Sequence, residues 1–306
     1  MSSQTGGYSG KTIAILGLSY CGSTVLNYVL DTHPSIYGGS ELSRLFSQRH
    51  DPSCAICGEE CPYWTPERIA AISAAGRGRL YENLAALFGT PTICDSSKQL
   101  RHFLDVMESD AHTEFLFVVL TKHPLRHVAS FVTNDFFKKA GIRAAEDIVS
   151  TQNARHEEIM AFAMEAASRI RDFHNLLDRR DKRLRERGSV VTMAYESLVC
   201  DPPAALQPIL DFAGVDYDPA MADYSAHEHH PIGGNMGPHV QTWKRHGVKE
   251  VWGATPGYRR TFYHQARNLV MDDKYRRTFS PRQINTLSEA HEIRELCGAL
   301  GYEPLL

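Results

Sequence analysis

Short apolar runs recur along this 306-residue chain and are spaced like the strands of a buried sheet. Four of them stand out, at residues 12–16, 91–94, 115–121 and 189–193. Each run stays apolar instead of alternating with polar residues, which is typical of parallel strands covered on both faces. The pattern therefore predicts four buried strands.

Helical patterns fill the intervals between these runs. They cover residues 23–30, 128–137, 145–187 and 201–213, and the third is long enough for more than one helix. The last begins at Asp-Pro-Pro, which is a favourable helix start. Strands that alternate with helices predict an α/β fold of three layers, in which helices flank a central parallel sheet.

The remaining stretches are interpreted as parts of one domain that spans residues 1–306. Residues 1–10 are small and polar, so we expect a flexible N-terminus. Residues 50–64 contain cysteines, residues 225–257 are rich in Gly, Pro and His, and we expect both to be irregular. Long loops inside a compact domain are more often functional than idle.

Composition narrows the class of protein. Hydrophobic residues make up 42% of the chain, charged residues 23%, and the net charge is −3, so no basic field favours nucleic acid. No stretch approaches the ~20 apolar residues that cross a bilayer, and the first apolar run is too short for a signal peptide. The seven cysteines are an odd number, which argues against a disulfide framework. We expect a cytoplasmic protein without nucleic-acid or membrane partners.

A phosphate-binding loop is the strongest motif. Residues 17–24, hereafter the phosphate loop, have the frame G-x4-G-x-[ST] between a predicted strand and a predicted helix, with Ser23 where a nucleotide kinase has Lys. Glycines let successive N–H groups point at an anion, and the helix N-terminus adds its positive dipole end. Without the Lys, a single terminal phosphate is better served than a triphosphate with Mg²⁺. The other interpretation is an ordinary Gly-containing turn with an N-cap.

Residues 17–41, GLSYCGSTVLNYVLDTHPSIYGGSE, extend this motif. They resemble the 5′-phosphosulfate-binding segment of sulfotransferases that use PAPS (3′-phosphoadenosine 5′-phosphosulfate), whose architecture is P-loop-like. The resemblance implies that Glu41 is the general base. Tyr20 departs from the family, which usually has Arg or Lys there to stabilise the transferring group. The resemblance also implies donor contacts from Ser19, Tyr20, Cys21, Gly22, Ser23 and Thr24.

Two further segments resemble the same family in the same chain order. The segment FVVLTKHPLRHVASF resembles the 3′-phosphate site and implies that Lys122 and Ser130 bind that phosphate. The segment CDSSK resembles a motif of bacterial-type members, and its Lys98 could replace the cation missing at position 20 and stabilise the leaving group. The alternative is that Lys98 caps a helix or points to solvent.

The His-rich stretch resembles the family's H-x-x-x-G-N segment, which closes over the nucleotide. The match implies donor contacts from Gly234 and Asn235. The family often places a basic residue next, and here the candidates are His239, Lys244 and Arg245. Clustered histidines can also bind metal, but these lack helical i, i+4 spacing and have no nearby carboxylate motif beyond Glu228.

The cysteines of residues 50–64 offer a second kind of site. Cys54, Cys57 and Cys61 follow His50, and three thiolates with one imidazole could hold a structural Zn²⁺. The alternatives are three reduced thiols in a loop that covers the substrate, or a disulfide.

The resemblance implies sulfuryl transfer from PAPS to a hydroxyl or amine of a small-molecule acceptor, with PAP as product and no catalytic metal. Two alternatives stay open: a P-loop nucleotide kinase, and a catalytically inactive PAP-binding or scaffold protein, which Tyr20 would suit. The sequence does not identify the acceptor or the oligomeric state. Aromatic residues that could line an apolar acceptor pocket are Phe46, Tyr63, Trp64, Phe136 and Phe137.

Overall fold

A computed structural model describes residues 10–48, 52–142, 145–245 and 269–305. Five parallel strands form one sheet in the order β2-β3-β1-β4-β5. The strands are β1 (Lys11–Leu16), β2 (Ile36–Ser40), β3 (Thr92–Lys98), β4 (Glu114–Thr121) and β5 (Gly188–Ala194). Because all five are parallel, their carboxyl ends lie along one edge of the sheet.

Helices connect the strands and cover the sheet. They are α1 (Ser23–Asp31), α2 (Pro66–Ala75), α3 (Leu80–Phe88), α4 (Leu100–Ser109), α5 (Pro124–Phe131), α6 (Phe137–Lys139), α7 (Ala145–Ala154), α8 (His156–Arg185), α9 (Tyr195–Cys200), α10 (Pro202–Ala213), α11 (Met236–Arg245), α12 (Tyr275–Thr278), α13 (Pro281–Glu289) and α14 (His291–Leu300). Among the described helices, none is both long enough and apolar enough to cross a membrane.

Three of the four apolar runs form buried strands, namely β1, β3 and β4. The fourth prediction of a buried strand is wrong: β5 is the edge strand, and of its residues only Met193 is buried. In β1, Ile13 and Ile15 face the cluster that includes α1 and α10, whereas Ala14 and Leu16 face the cluster that includes α3 and α4. A third cluster lies between α5, α8 and the C-terminal helices. The predicted α/β fold with a central parallel sheet flanked by helices is confirmed.

The sequence pattern misses one strand and misjudges the length of another. β2 reads IYGGS, and its two glycines hide it because Gly weakens a strand pattern. Gly38 is required for close packing, since a Cβ there would lie 2.6 Å from the Asp31 Cβ. β3 continues to Lys98, so the CDSSK motif forms the end of the strand instead of following it. The predicted irregular stretch 225–257 contains α11.

A π-helical turn, Val132–Phe136, separates α5 from α6. The helix predicted at 128–137 begins earlier than expected, at Pro124. The π turn also makes it irregular within the predicted range. Single π turns inside helices are often found at functional sites. This one carries Asn134 and Asp135, which border the cavity described next.

Candidate active site

The carboxyl edge of the sheet opens onto a cavity of about 720 Å³. Ligands bind at this edge of open α/β sheets. Most of the residues that the resemblance implies for the donor line it. They are Ser19, Tyr20, Gly22, Ser23, Thr24, Glu41, Lys98, Lys122, Gly234 and Asn235.

The phosphate loop has the backbone shape of an anion cradle. Tyr20 has φ 72° and Gly22 has φ 103°, so the chain turns sharply before α1. Within the described residues, no side chain caps the N-terminus of α1, and its first residues, Ser23 to Val25, border the cavity. A Cβ on Gly22 would lie 2.3 Å from the Tyr195 ring, so only glycine fits there. The Cys21 side chain, by contrast, is buried in the core beneath the loop.

Tyr20 is tied to the π turn instead of offering a charge. Its hydroxyl donates to Asp135 Oδ1 (2.7 Å), and its ring meets Phe131 edge-on. The neighbouring Ser19 carbonyl accepts from His127 Nε2 (2.8 Å). Burial, with a further contribution from Lys122, lowers the pKa of His127 to about 3, so the imidazole is a neutral donor at physiological pH. Polar contacts with His127 and Asp135 thus fix the loop to α5 and to the π turn.

Glu41 lies at the end of β2, and two cations hold its carboxylate. Lys98 Nζ donates to Oε1 (2.7 Å), and Arg44 Nε donates to Oε2 (2.7 Å). Burial raises the pKa of Glu41, but Lys98 and Arg44 outweigh burial and lower that pKa to about 2. Glu41 precedes the 3₁₀ turn Leu42–Phe46 without capping it through its side chain. Sequence reasoning missed Arg44, although its place three residues after Glu41 was a usable signal.

The end of β3 positions the Lys98 side chain. Its φ is 66°, and its ammonium also donates to the Ser96 carbonyl (3.2 Å). The strand end is fixed by the buried Asp95, which accepts from Ser97, Tyr81 and His102. The four residues of the DSSK motif therefore form one unit, in which buried polar contacts support an ammonium at the cavity wall.

Lys122 and Ser130 are brought together, as the resemblance implies, but a third residue joins them. Lys122 Nζ donates to Ser130 Oγ (3.1 Å) and forms a buried ion pair with Asp272, a residue that sequence reasoning missed. Burial lowers the pKa of Lys122, and Asp272 partly opposes that effect. Burial raises the pKa of Asp272, but Lys122 and Lys274 outweigh it, and the net pKa lies well below its usual range. An internal carboxylate thus occupies the contact that the resemblance assigns to a phosphate.

The segment 230–235 reaches the cavity at Gly234 and Asn235, which border it. The Asn235 N–H donates to Thr24 Oγ1 (3.0 Å), which links this segment to the phosphate loop. Gly234 has φ 115° and packs against His239, whose Nδ1 lies 2.6 Å from the Tyr28 hydroxyl. Burial lowers the pKa of His239 to about 4, so His239 adds no charge near neutral pH. Lys244 and Arg245 belong to α11, and their side chains lie outside the described part of the structure.

The three cysteines of residues 50–64 cluster with a different histidine from the one that the sequence suggested. His50 lies outside the described residues. His230 instead places its Nδ1 3.3 Å from Cys57 Sγ and 3.5 Å from Cys61 Sγ, with Cys54 in the same group. All three cysteines are free thiols in the structure.

Aromatic residues suggested for an acceptor pocket are partly engaged elsewhere. Trp64 and Phe137 are buried in hydrophobic clusters, so they serve packing. The cavity instead receives Tyr20, Tyr195 and Tyr224. Phe46, Tyr63 and Phe136 are half-buried and pack against the same clusters.

Comparisons with known proteins give one family and one fold. A model of the sulfotransferase family matches residues 12–219. Among solved structures, the sulfotransferase domain from the curacin biosynthetic pathway is 17% identical with TM-score 0.52, and covers 96% of this chain and 98% of its own. The sulfotransferase domain from the Synechococcus PCC 7002 olefin synthase is 19% identical with TM-score 0.50, covering 96% and 95%. At these identities the structures support the fold alone. No curated protein matches the sequence.

Proposed function

The chain belongs to the sulfotransferase family, and we propose that it transfers a sulfuryl group from PAPS to a hydroxyl or amine of a small-molecule acceptor. The observation that carries the proposal is the Glu41–Lys98 pair, at 2.7 Å, on the same cavity as the phosphate loop. An in-line transfer of a charged group needs a carboxylate, an ammonium and an anion-binding loop in one cavity.

Each group has a role in this reaction. The donor supplies the sulfuryl group: the acceptor's oxygen or nitrogen forms a bond to sulfur while the bond from sulfur to the bridging oxygen breaks and its electron pair leaves with PAP. Glu41 accepts the acceptor's proton. Ser23, Thr24 and the N–H groups of the phosphate loop bind the 5′-phosphosulfate, and Lys98 stabilises charge on the leaving oxygen.

The low pKa of Glu41 gives Lys98 a second role. A carboxylate with a pKa of about 2 is fully ionised near neutral pH but is a weak proton acceptor. Lys98 is the stronger of the two cations that lower this pKa. When Lys98 turns towards the negative donor, Glu41 loses that cation and its pKa rises. Donor binding would therefore make Glu41 a better base just when the acceptor must lose its proton.

Recognition of the 3′-phosphate is assigned to Lys122 and Ser130. Lys122 directly follows β4 and borders the cavity, and Ser130 on α5 accepts a hydrogen bond from it. The phosphate would replace the Asp272 carboxylate on Lys122, since one anion exchanges for another without leaving the buried ammonium unpaired. Lys274, which also pairs with Asp272 (3.1 Å), would keep the displaced carboxylate partnered.

The donor assignment is tested with nucleotides alone. A ligand that binds only the native state raises the melting temperature, so PAP should stabilise the protein more than 5′-AMP does. Lys122→Ala should remove most of that difference, whereas the exposed Lys182→Ala should keep it. Equal stabilisation by PAP and AMP in the wild type would remove the basis for the 3′-phosphate site.

The base assignment is tested by transfer of labelled sulfate from PAPS to a panel of simple alcohols, phenols and amines. Glu41→Gln keeps the shape of the side chain but cannot accept the proton, so kcat should fall on the order of 10²–10⁴-fold. Stabilisation by PAP should change little. The matched control is Glu165→Gln, on the exposed surface of α8. Turnover of Glu41→Gln near that of the wild type would assign the proton to another group.

A further inference from the structure

We propose that Cys54, Cys57, Cys61 and His230 bind one structural Zn²⁺. The three sulfur atoms and one ring nitrogen all lie within 4.8 Å of one another. The Cys57 and Cys61 Sγ atoms are 3.3 and 3.5 Å from His230 Nδ1. Three cysteines and one histidine are a complete ligand set for a closed tetrahedral zinc site.

Two of the six separations between the donor atoms match the edges of a zinc tetrahedron. With Zn–S of about 2.3 Å and Zn–N of about 2.0–2.1 Å, tetrahedral angles place sulfur and nitrogen about 3.6 Å apart and two sulfurs about 3.8 Å apart. The observed separations between sulfur and nitrogen are within a few tenths of an ångström of that value. The three sulfur atoms and the ring nitrogen therefore surround a common point, as the ligands of one ion would.

The surroundings of the donors fit ligand roles. Glu228 Oε1 lies 3.2 Å from His230 Nε2, so it can accept a hydrogen bond from that N–H. The lone pair of Nδ1 is then left for a metal ion held between the ring and the sulfurs. The Cys57 N–H donates to Cys54 Sγ (3.4 Å), which fixes that sulfur within the cluster. Tyr37 and Trp64 both donate to the His230 carbonyl and fix its backbone.

Other uses of the thiols fit less well. A disulfide joins two sulfurs and would leave the third cysteine and the histidine unexplained. Cys54 and Cys61 are buried, at 3% and 2% exposure, whereas redox-sensing thiols are accessible. A fourth ligand from a segment 169 residues after Cys61 also makes the site a cross-link between distant parts of the chain.

The cross-link would hold a wall of the active-site cavity. Two residues past His230, the Ile232 carbonyl accepts from the Glu41 N–H (2.8 Å), and the Ile232 N–H donates to the Gly39 carbonyl (2.9 Å). The Ala55 N–H donates to the Pro231 carbonyl (2.8 Å), so the cysteine-bearing residues and segment 230–235 already pair along their backbones. Zinc would thereby fix the backbone of Glu41 without touching a substrate.

Metal analysis is the first test. Protein purified without chelator should carry about one zinc per chain, because one four-ligand site is present. Cys57→Ser and His230→Ala should lose most of it. The controls are Cys200→Ser and His291→Gln, which change an exposed cysteine and an exposed histidine outside the cluster and should keep the metal. Zinc-free wild-type protein, or equal zinc in cluster and control variants, would overturn the proposal.

Cobalt substitution of the wild-type protein is the second test, and it holds even if a cluster variant fails to fold. Co²⁺ in a site of three thiolates and one imidazole should give intense thiolate-to-cobalt absorption in the near-ultraviolet and the visible bands of tetrahedral cobalt. Added Zn²⁺ should abolish both. Cobalt that binds without thiolate absorption would refute the ligand set. Neither test uses PAPS or turnover, so failure here leaves the transfer reaction standing, and the converse also holds.

Discussion

The ion pairs of Glu41 should make the unfolding free energy depend measurably on pH. Its pKa falls from an ordinary 4.5 to about 2 in the folded protein. At about 1.4 kcal/mol per pKa unit, the difference of 2.5 units amounts to about 3 kcal/mol of folding free energy above pH 4.5. The carboxylate side chain is 20% exposed, so solvent screens the ion pairs only in part. Because the folded pKa is the lower one, this contribution is lost as pH falls from 4.5 through 2.

The assay compares urea unfolding of wild type and Glu41→Gln at steps between pH 7 and pH 3. The difference in unfolding free energy should be constant above pH 5.5 and shrink by about 2 kcal/mol by pH 3, where the carboxylate of the unfolded chain is protonated and that of the folded chain is not. Lys98→Met removes the stronger of the two cations and should raise the folded pKa of Glu41, so the pH-dependent loss should become smaller and end at a higher pH. A difference that stays flat from pH 7 to pH 3 would refute the ion-pair reasoning. The exposed Glu165→Gln variant is the matched control.

Three further outcomes follow from the site. Gly22→Ala should lower the unfolding free energy well beyond the ~1 kcal/mol that a left-handed alanine costs, because its Cβ would lie 2.3 Å from Tyr195. The control is Gly141→Ala, which has φ 73° and no heavy atom within 4 Å and therefore measures the backbone cost alone. Equal losses in the two variants would contradict the steric argument. Asp272→Asn should enlarge the melting-temperature shift given by PAP, because no carboxylate then competes for Lys122; an unchanged or smaller shift would count against that competition. A zinc chelator should lower the melting temperature of wild type but not of Cys57→Ser, and equal shifts would point to a general effect of the chelator.

Local signals in the sequence predict the parts of the fold that are built locally. The phosphate loop and α1 follow β1 directly, so the strand, the loop glycines and the start of the helix can all be predicted from one short stretch of sequence. β2 is missed because its apolar content is low, and what makes it a strand is its pairing with β3. The end of β3 is misjudged for a similar reason, since polar residues there are buried by contacts with Asp95 instead of by apolar neighbours.

Contacts between distant residues account for what the sequence could not supply. Asp272 meets Lys122 across 150 positions, and nothing near Asp272 marks it as a partner. The spacing of the cysteines indicates a possible metal site. The chain has 15 histidines, however, and the sequence alone does not identify which of them is the fourth ligand, so the histidine nearest in sequence is only the simplest choice. The fold selects His230 because segment 230–235 pairs with the end of β2, close to the cysteines.

The π turn at Val132–Phe136 has a consequence for how relatives of this chain should be compared. One extra residue in a helix shifts the phase of everything after it by about 100°. Asp135, Lys138 and Lys139 border the cavity on the present phase. A relative lacking one residue in this stretch could keep a continuous helix and a similar sequence yet turn these side chains away. A change of acceptor could then arise from an insertion or deletion, and an alignment that counts only substitutions would overlook it.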